Sequence, residues 1–115
     1  MTEPARALRR LGITGTDTGV GKTVVSCALA ARARQLGLQV AAMKPLESGV
    51  DARATDADAS RLAAACGGAL DPMLVRPYLL RDPLAPWVAA EREGLHIDLA
   101  RLDAARASLE QERDL

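Results

Sequence analysis

Gly15-Thr16-Asp17-Thr18-Gly19-Val20-Gly21-Lys22-Thr23 lies between two stretches of different character. Before it, Leu11-Gly12-Ile13-Thr14 is a short apolar run ending in Thr, which predicts a buried strand. After it, residues 22–36 are rich in Ala, Leu and Val, and Gly37 supplies a stop, which predicts a helix. The segment between them is too rich in Gly for either element and reads as a loop. Gly19 and Gly21 let the backbone curl, so that successive N–H groups converge on phosphate oxygens. The helix N-terminus adds unpaired donors and the positive end of its dipole. Lys22 is placed to reach the β- and γ-phosphates of a nucleotide, and the Thr23 hydroxyl to ligate Mg²⁺. The loop is a variant of the phosphate-binding pattern, because Thr16 stands where the first Gly is expected and Gly15 comes one residue earlier.

Val40-Ala41-Ala42-Met43 is a second apolar run, closed by Lys44-Pro45. Pro45 biases Lys44 toward extended geometry and ends the ladder there. The order strand, loop, helix, strand predicts a right-handed βαβ unit with parallel strands. Ligands of open parallel sheets bind at the carboxyl ends of the strands, which brings Lys44 toward the phosphate loop. An ammonium there neutralises charge during phosphoryl transfer, and Ser48 is placed to hydrogen-bond an acceptor. Residues 46–57 read as a polar loop holding Asp56, and Asp58 opens the helix after it; one of the two suits Mg²⁺ while the other caps the helix. Helices are expected from Asp58 to Cys66, from Pro86 to Gly94 and from Asp98 to about Arg113, with Pro-broken turns between the first two.

The expected class is therefore α/β: a phosphate-loop-type parallel sheet with flanking helices, Rossmann-like in three layers. Residues 1–115 read as a single domain that is incomplete at its C-terminus, since two strands do not make a covered parallel sheet.

Composition narrows the function. The 15 basic and 15 acidic side chains cancel, which argues against a polybasic nucleic-acid or membrane-surface binder. No run approaches the roughly 20 apolar residues of a membrane span, and no secretory signal opens the chain, so a cytoplasmic location is expected. Tyr78 and Trp87 are the only aromatic residues, too few for a base-stacking platform. Cys27 and Cys66 lack metal-ligand spacing and read as buried thiols, and His96 as a surface residue. All other basic residues are Arg, so the ammonium groups of Lys22 and Lys44 stand out. Asp17 occupies the position of the second loop lysine of partition-type ATPases, which sets that group aside.

Read together, GTDTGVGKT, KPLESGV, DADA and RPYLLRDPLAPWVAAEREG closely resemble the dethiobiotin synthetase family over roughly residues 11–113. The resemblance implies a homodimeric, ATP- and Mg²⁺-dependent ligase of biotin biosynthesis. It implies carboxylation of 7,8-diaminononanoate by CO₂ and closure of a ureido ring. Gly19, Val20, Gly21, Lys22, Thr23 and Val24 would hold the triphosphate, with Thr18 facing the γ-phosphate and Thr23 on the metal. Lys44 would bind the carbamate and the transferring phosphoryl group, and Ser48 would contact the carbamate. Asp58 best matches the family's metal-binding Asp, with Asp56 as the fallback. Gly19 stands where some members carry a Glu that holds the diamine. The family also continues for about as many residues again, starting with a strand ending in Glu-Gly-Ala-Gly-Gly that supplies a second metal ligand. The 115 residues alone are therefore expected to be inactive and poorly stable. The competing expectations are a phosphate-loop module without turnover and an amidoligase acting on cobyrinate or a similar carboxylate.

Overall fold

The computed structural model describes residues 7–16, 21–50 and 57–115. Helix α1 spans Lys22–Gln35, strand β1 Leu46–Ser48, helix α2 Asp58–Ala65 and helix α3 Pro72–Val75. Strand β2 follows at Tyr78–Leu80, then α4 at Pro86–Arg92 and α5 at Leu99–Glu110. The helix boundaries follow local chemistry. Asp71 and Asp98 cap α3 and α5 by accepting from the Met73 and Ala100 amides, each at 2.9 Å. Pro72 and Pro86 open α3 and α4, where their missing N–H costs nothing.

β1 and β2 pair in parallel, with Leu46 opposite Tyr78, Glu47 opposite Leu79 and Ser48 opposite Leu80. The connection between them carries α2 and α3, so a parallel pair with a helical crossover is present, as the α/β class requires.

The pair is not the one expected. Residues 11–14 form no strand: Leu11 is 60% exposed, and among the described residues nothing completes a ladder beside it. Residues 40–43 form none either. The carbonyl of Gln39 accepts from Asp114 at 2.8 Å, the Ala41 amide donates to Leu115 at 3.0 Å, and the Lys44 amide to Val75 at 2.7 Å. These are isolated bonds to two different neighbours rather than one continuous ladder. The expected loop over residues 46–57 instead begins with β1, and β2 lies within the stretch expected to be turns.

Three small cores result. Ala59, Leu70, Val75 and Leu109 pack between α2, α3 and α5. Ala30, Ala33 and Val40 hold α1 against residues 38–40, and Leu80 packs with Ala89 and Ala90 of α4. Small Ala side chains let α1 and α2 approach closely, which places their first turns near one another. One face of α1 stays open, with Val24 and Val25 more than half exposed.

Glu110, at the end of α5, accepts from Arg10 and from Arg106, the latter at 2.8 Å, tying residues 7–16 to the helix. Those hydrogen bonds, Arg10's first, lower the Glu110 pKa to about 2. A carboxylate whose pKa is depressed by folding stabilises the fold above its ordinary value and loses that contribution as pH falls toward the depressed one. A carboxyl NMR titration should therefore place the Glu110 midpoint near 2, and Arg10→Gln should move it upward; a midpoint near 4.5 in the parent chain would contradict the linkage.

Candidate functional site

The site begins at Gly21, which caps α1 at φ +95°, a left-handed conformation that a side chain would strain. That turn starts the helix at Lys22 and puts Thr23 in its first turn, where free N–H groups face outward. Asp58 occupies the equivalent place on α2, as its first helical residue after Ala57. Lys44 arrives from a third direction, its amide fixed to the Val75 carbonyl just before β1.

These three side chains meet. Lys44 Nζ donates to Asp58 Oδ2 at 3.0 Å, and the Thr23 hydroxyl also donates to the Asp58 carboxylate. Both partners of the ion pair keep about a third of their side-chain surface in solvent, at 32% and 34%. Partial burial alone would raise the Asp58 pKa; the hydrogen bonds from Lys44 and Thr23 outweigh it and hold the carboxyl below its ordinary value. Lys22, Thr23 and Lys44 line one groove of about 360 Å³ together with Ile13, Ser26 and Met43.

Ser48 is engaged elsewhere. Its hydroxyl donates to the Leu84 carbonyl at 2.8 Å, tying the end of β1 to the turn before α4. Gly49 follows at φ +76°, and a Cβ there would stand 2.8 Å from that of Pro83, so the turn requires glycine. Val24 is on the exposed face of α1. Asp17, Thr18, Gly19, Val20 and Asp56 lie outside the described residues. Among the described residues no group of three or more His, Cys, Asp or Glu gathers as a metal site. The oxygens of Thr23 and Asp58 are nevertheless the hard donors that Mg²⁺ takes when phosphate and water complete its shell.

Sequence reasoning missed Glu47 and Arg76. They form an ion pair of 2.7 Å between the middle of β1 and the segment joining α3 to β2, with side chains 5% and 12% exposed. A charge flanked by Leu46 and Ser48 in a polar stretch reads as solvated, and no spacing signal links it to an Arg 29 residues away.

A parallel strand pair, a glycine-capped helix opening with Lys-Thr, and a carboxylate facing that turn define a phosphate-loop α/β protein. Residues 9–115 match the family described as an AAA domain, and the chain belongs to it. It is 52% identical over 101 residues to the ATP-dependent dethiobiotin synthetase BioD of Anaeromyxobacter sp. (strain Fw109-5), covering 87% of this chain and 45% of that one. It is 43% identical over 120 residues to BioD of Aromatoleum aromaticum, covering 100% of this chain and 51% of the relative. With BioD of Bacillus velezensis it shares 42% identity over 93 residues, covering 81% and 40%. The chain thus spans about half the length of the curated relatives it matches. Their names support the dethiobiotin synthetase resemblance and give no support to the amidoligase or the turnover-free module.

Because the folded Asp58 pKa is depressed, the stabilisation it lends is present above the ordinary carboxylate value and is lost as pH falls through the depressed one. A ¹³C-carboxyl titration should find Asp58 ionised below the midpoint of an unpaired Asp, and Lys44→Met should raise that midpoint. An Asp58 midpoint that ignores Lys44→Met would show that the two do not interact in solution.

Proposed function

We propose that this chain carries the nucleotide-binding part of a dethiobiotin synthetase. The reaction is the ATP- and Mg²⁺-dependent carboxylation of 7,8-diaminononanoate by CO₂, closing the ureido ring to give dethiobiotin, ADP and phosphate. The observation that carries this reading is the Lys44 ammonium lying on the same carboxylate that receives the Thr23 hydroxyl. A phosphate-loop turn and a lysine from a different segment converge there. Kinship with proteins named dethiobiotin synthetase adds the substrate class.

The chemistry divides into three steps. A neutral amine of the substrate attacks CO₂, forming a carbamate and releasing a proton. A carbamate oxygen attacks the γ-phosphorus of ATP, the bond to the β-phosphate oxygen breaks, and ADP leaves. The second amine attacks the carbon of the carbamic–phosphoric anhydride, closing the ring and expelling phosphate. Gly19 to Val24 cradle the triphosphate, with Thr18 toward its outer end. Lys22 holds the β- and γ-phosphate charge, while Lys44 meets the carbamate and the transferring group. Ser48 contacts the carbamate, in exchange for its bond to Leu84. Thr23 and Asp58 would hold Mg²⁺, with Asp56 as the alternative acid; the ion supplies charge neutralisation on the phosphate oxygens. The protein's work is positioning and electrostatics. The reading includes one α/β domain over residues 1–115, a homodimer as the working unit and a cytoplasmic location. No helix among the described residues is long and apolar enough to cross a membrane.

The test uses the protein as its source makes it, with its intact mass measured first. Phosphate release from ATP should require both the diamine and bicarbonate. Lys44→Ala should lower turnover by about 10²-fold with nucleotide affinity nearly kept, whereas Lys22→Ala should weaken both. ATP hydrolysis indifferent to the diamine and to bicarbonate, or a Lys44→Ala enzyme as fast as the parent, would overturn the reading.

A further inference from the structure

Among the described residues Glu47 is the buried charged side chain, and the phosphate chemistry does not use it. It is the middle residue of β1 and is met by Arg76, which follows α3 and precedes β2. The segments it joins are also stitched by backbone. The Lys44 amide donates to Val75 at 2.7 Å, the Tyr78 amide to Pro45 at 3.3 Å, and the Gly49 amide to Leu80 at 2.9 Å.

Backbone bonds of this kind are blind to side-chain identity, so alone they accept a ladder shifted along the strand. β2 buries Tyr78 and Leu80, but β1 offers only half-buried Leu46 and Ser48 beside Glu47, so on the β1 side little apolar burial fixes the register. The ion pair is not blind. A slip of one residue would set Leu46 or Ser48 against the Arg76 guanidinium and leave a carboxylate buried without its partner, a strongly penalised arrangement. Whatever holds the Glu47 side chain on Arg76 also holds Lys44 at Val75, three residues upstream, and Ser48 at Leu84, one residue downstream.

We propose that the Glu47–Arg76 ion pair is a register lock for the segment from Lys44 to Ser48, and that Glu47 and Arg76 are positioning residues for the Lys44 ammonium. Removing either one strands a buried charge. Replacing both by apolar side chains of similar volume does not, and such replacements commonly preserve or raise stability. The lock therefore separates from the fold in the double variant Glu47→Met/Arg76→Met.

That variant should melt at or above the parent temperature. Its Lys44 and Gly49 amides should exchange about tenfold faster or more, relative to the amides of α5, as alternative registers become populated. Cross-strand contacts between Leu46 and Tyr78 in NOE spectra should weaken in parallel. Unchanged exchange and NOE contacts in the folded double variant would overturn the proposal, as would failure of the double variant to fold, since the pair would then serve stability alone. A second arm rests on the proposed function: kcat for diamine-dependent phosphate release should fall about tenfold while the KM for ATP stays put, because Gly21 to Thr23 are anchored on α1. If the parent protein shows no such turnover, the functional reading fails by itself, and the exchange measurement still decides the register lock.

Discussion

A single ammonium-to-carboxylate contact organises this molecule. Lys44 Nζ reaches Asp58 across 3.0 Å, where α1, α2 and the residues before β1 meet. α1 must start at Gly21 so that Thr23 faces the same carboxylate, α2 must start at Asp58, and residues 39–44 must run between them. The contact is too exposed to be there for stability. Ion pairs with this degree of solvent access contribute about 0–1 kcal/mol, less than burial of one Leu or Val side chain such as Leu80 or Val75. Its significance is geometric: it collects a lysine, a helix-turn threonine and an acid in a space suited to phosphate and a divalent cation.

The contrast with Glu47 and Arg76 is instructive. That pair is withdrawn from water, so its electrostatics are unforgiving, whereas Lys44 and Asp58 remain accessible to ligand and can exchange partners. One pair is shielded from water and the other is open to it. Two residues, Pro45 and Leu46, separate Lys44 from Glu47, which is how a fixed strand pair brings a partly exposed lysine beside the first turn of α1.

Much of this was legible in the residues. Gly21-Lys22-Thr23 marks the start of the helix that follows, because glycine takes the left-handed cap without strain; Gly19 and Val20 lie outside the described residues. Helices α2, α4 and α5 were legible from their Asp and Pro starts, whereas α3 lies in the stretch expected to be turns. Lys44 and Asp58 were both singled out in the sequence, and the structure brings them together. The strands were not. Apolar runs at residues 11–14 and 40–43 have the composition of buried strands, but a ladder needs neighbours, which composition does not supply. The strands that do pair, Leu46–Ser48 and Tyr78–Leu80, are three residues long and each directly follows a proline, below the length at which alternation becomes a signal. Glu47 hid for the same reason: its partner is set by tertiary approach, not by spacing.

The most direct measurement is a structure of the protein with a non-hydrolysable ATP analogue and Mg²⁺. In that complex Lys44 Nζ should leave Asp58 and stand within about 3 Å of a terminal phosphate oxygen, with the Thr23 hydroxyl turned to the metal. A bound nucleotide with its outer phosphate seated away from Lys44, and the Lys44–Asp58 contact intact, would contradict it.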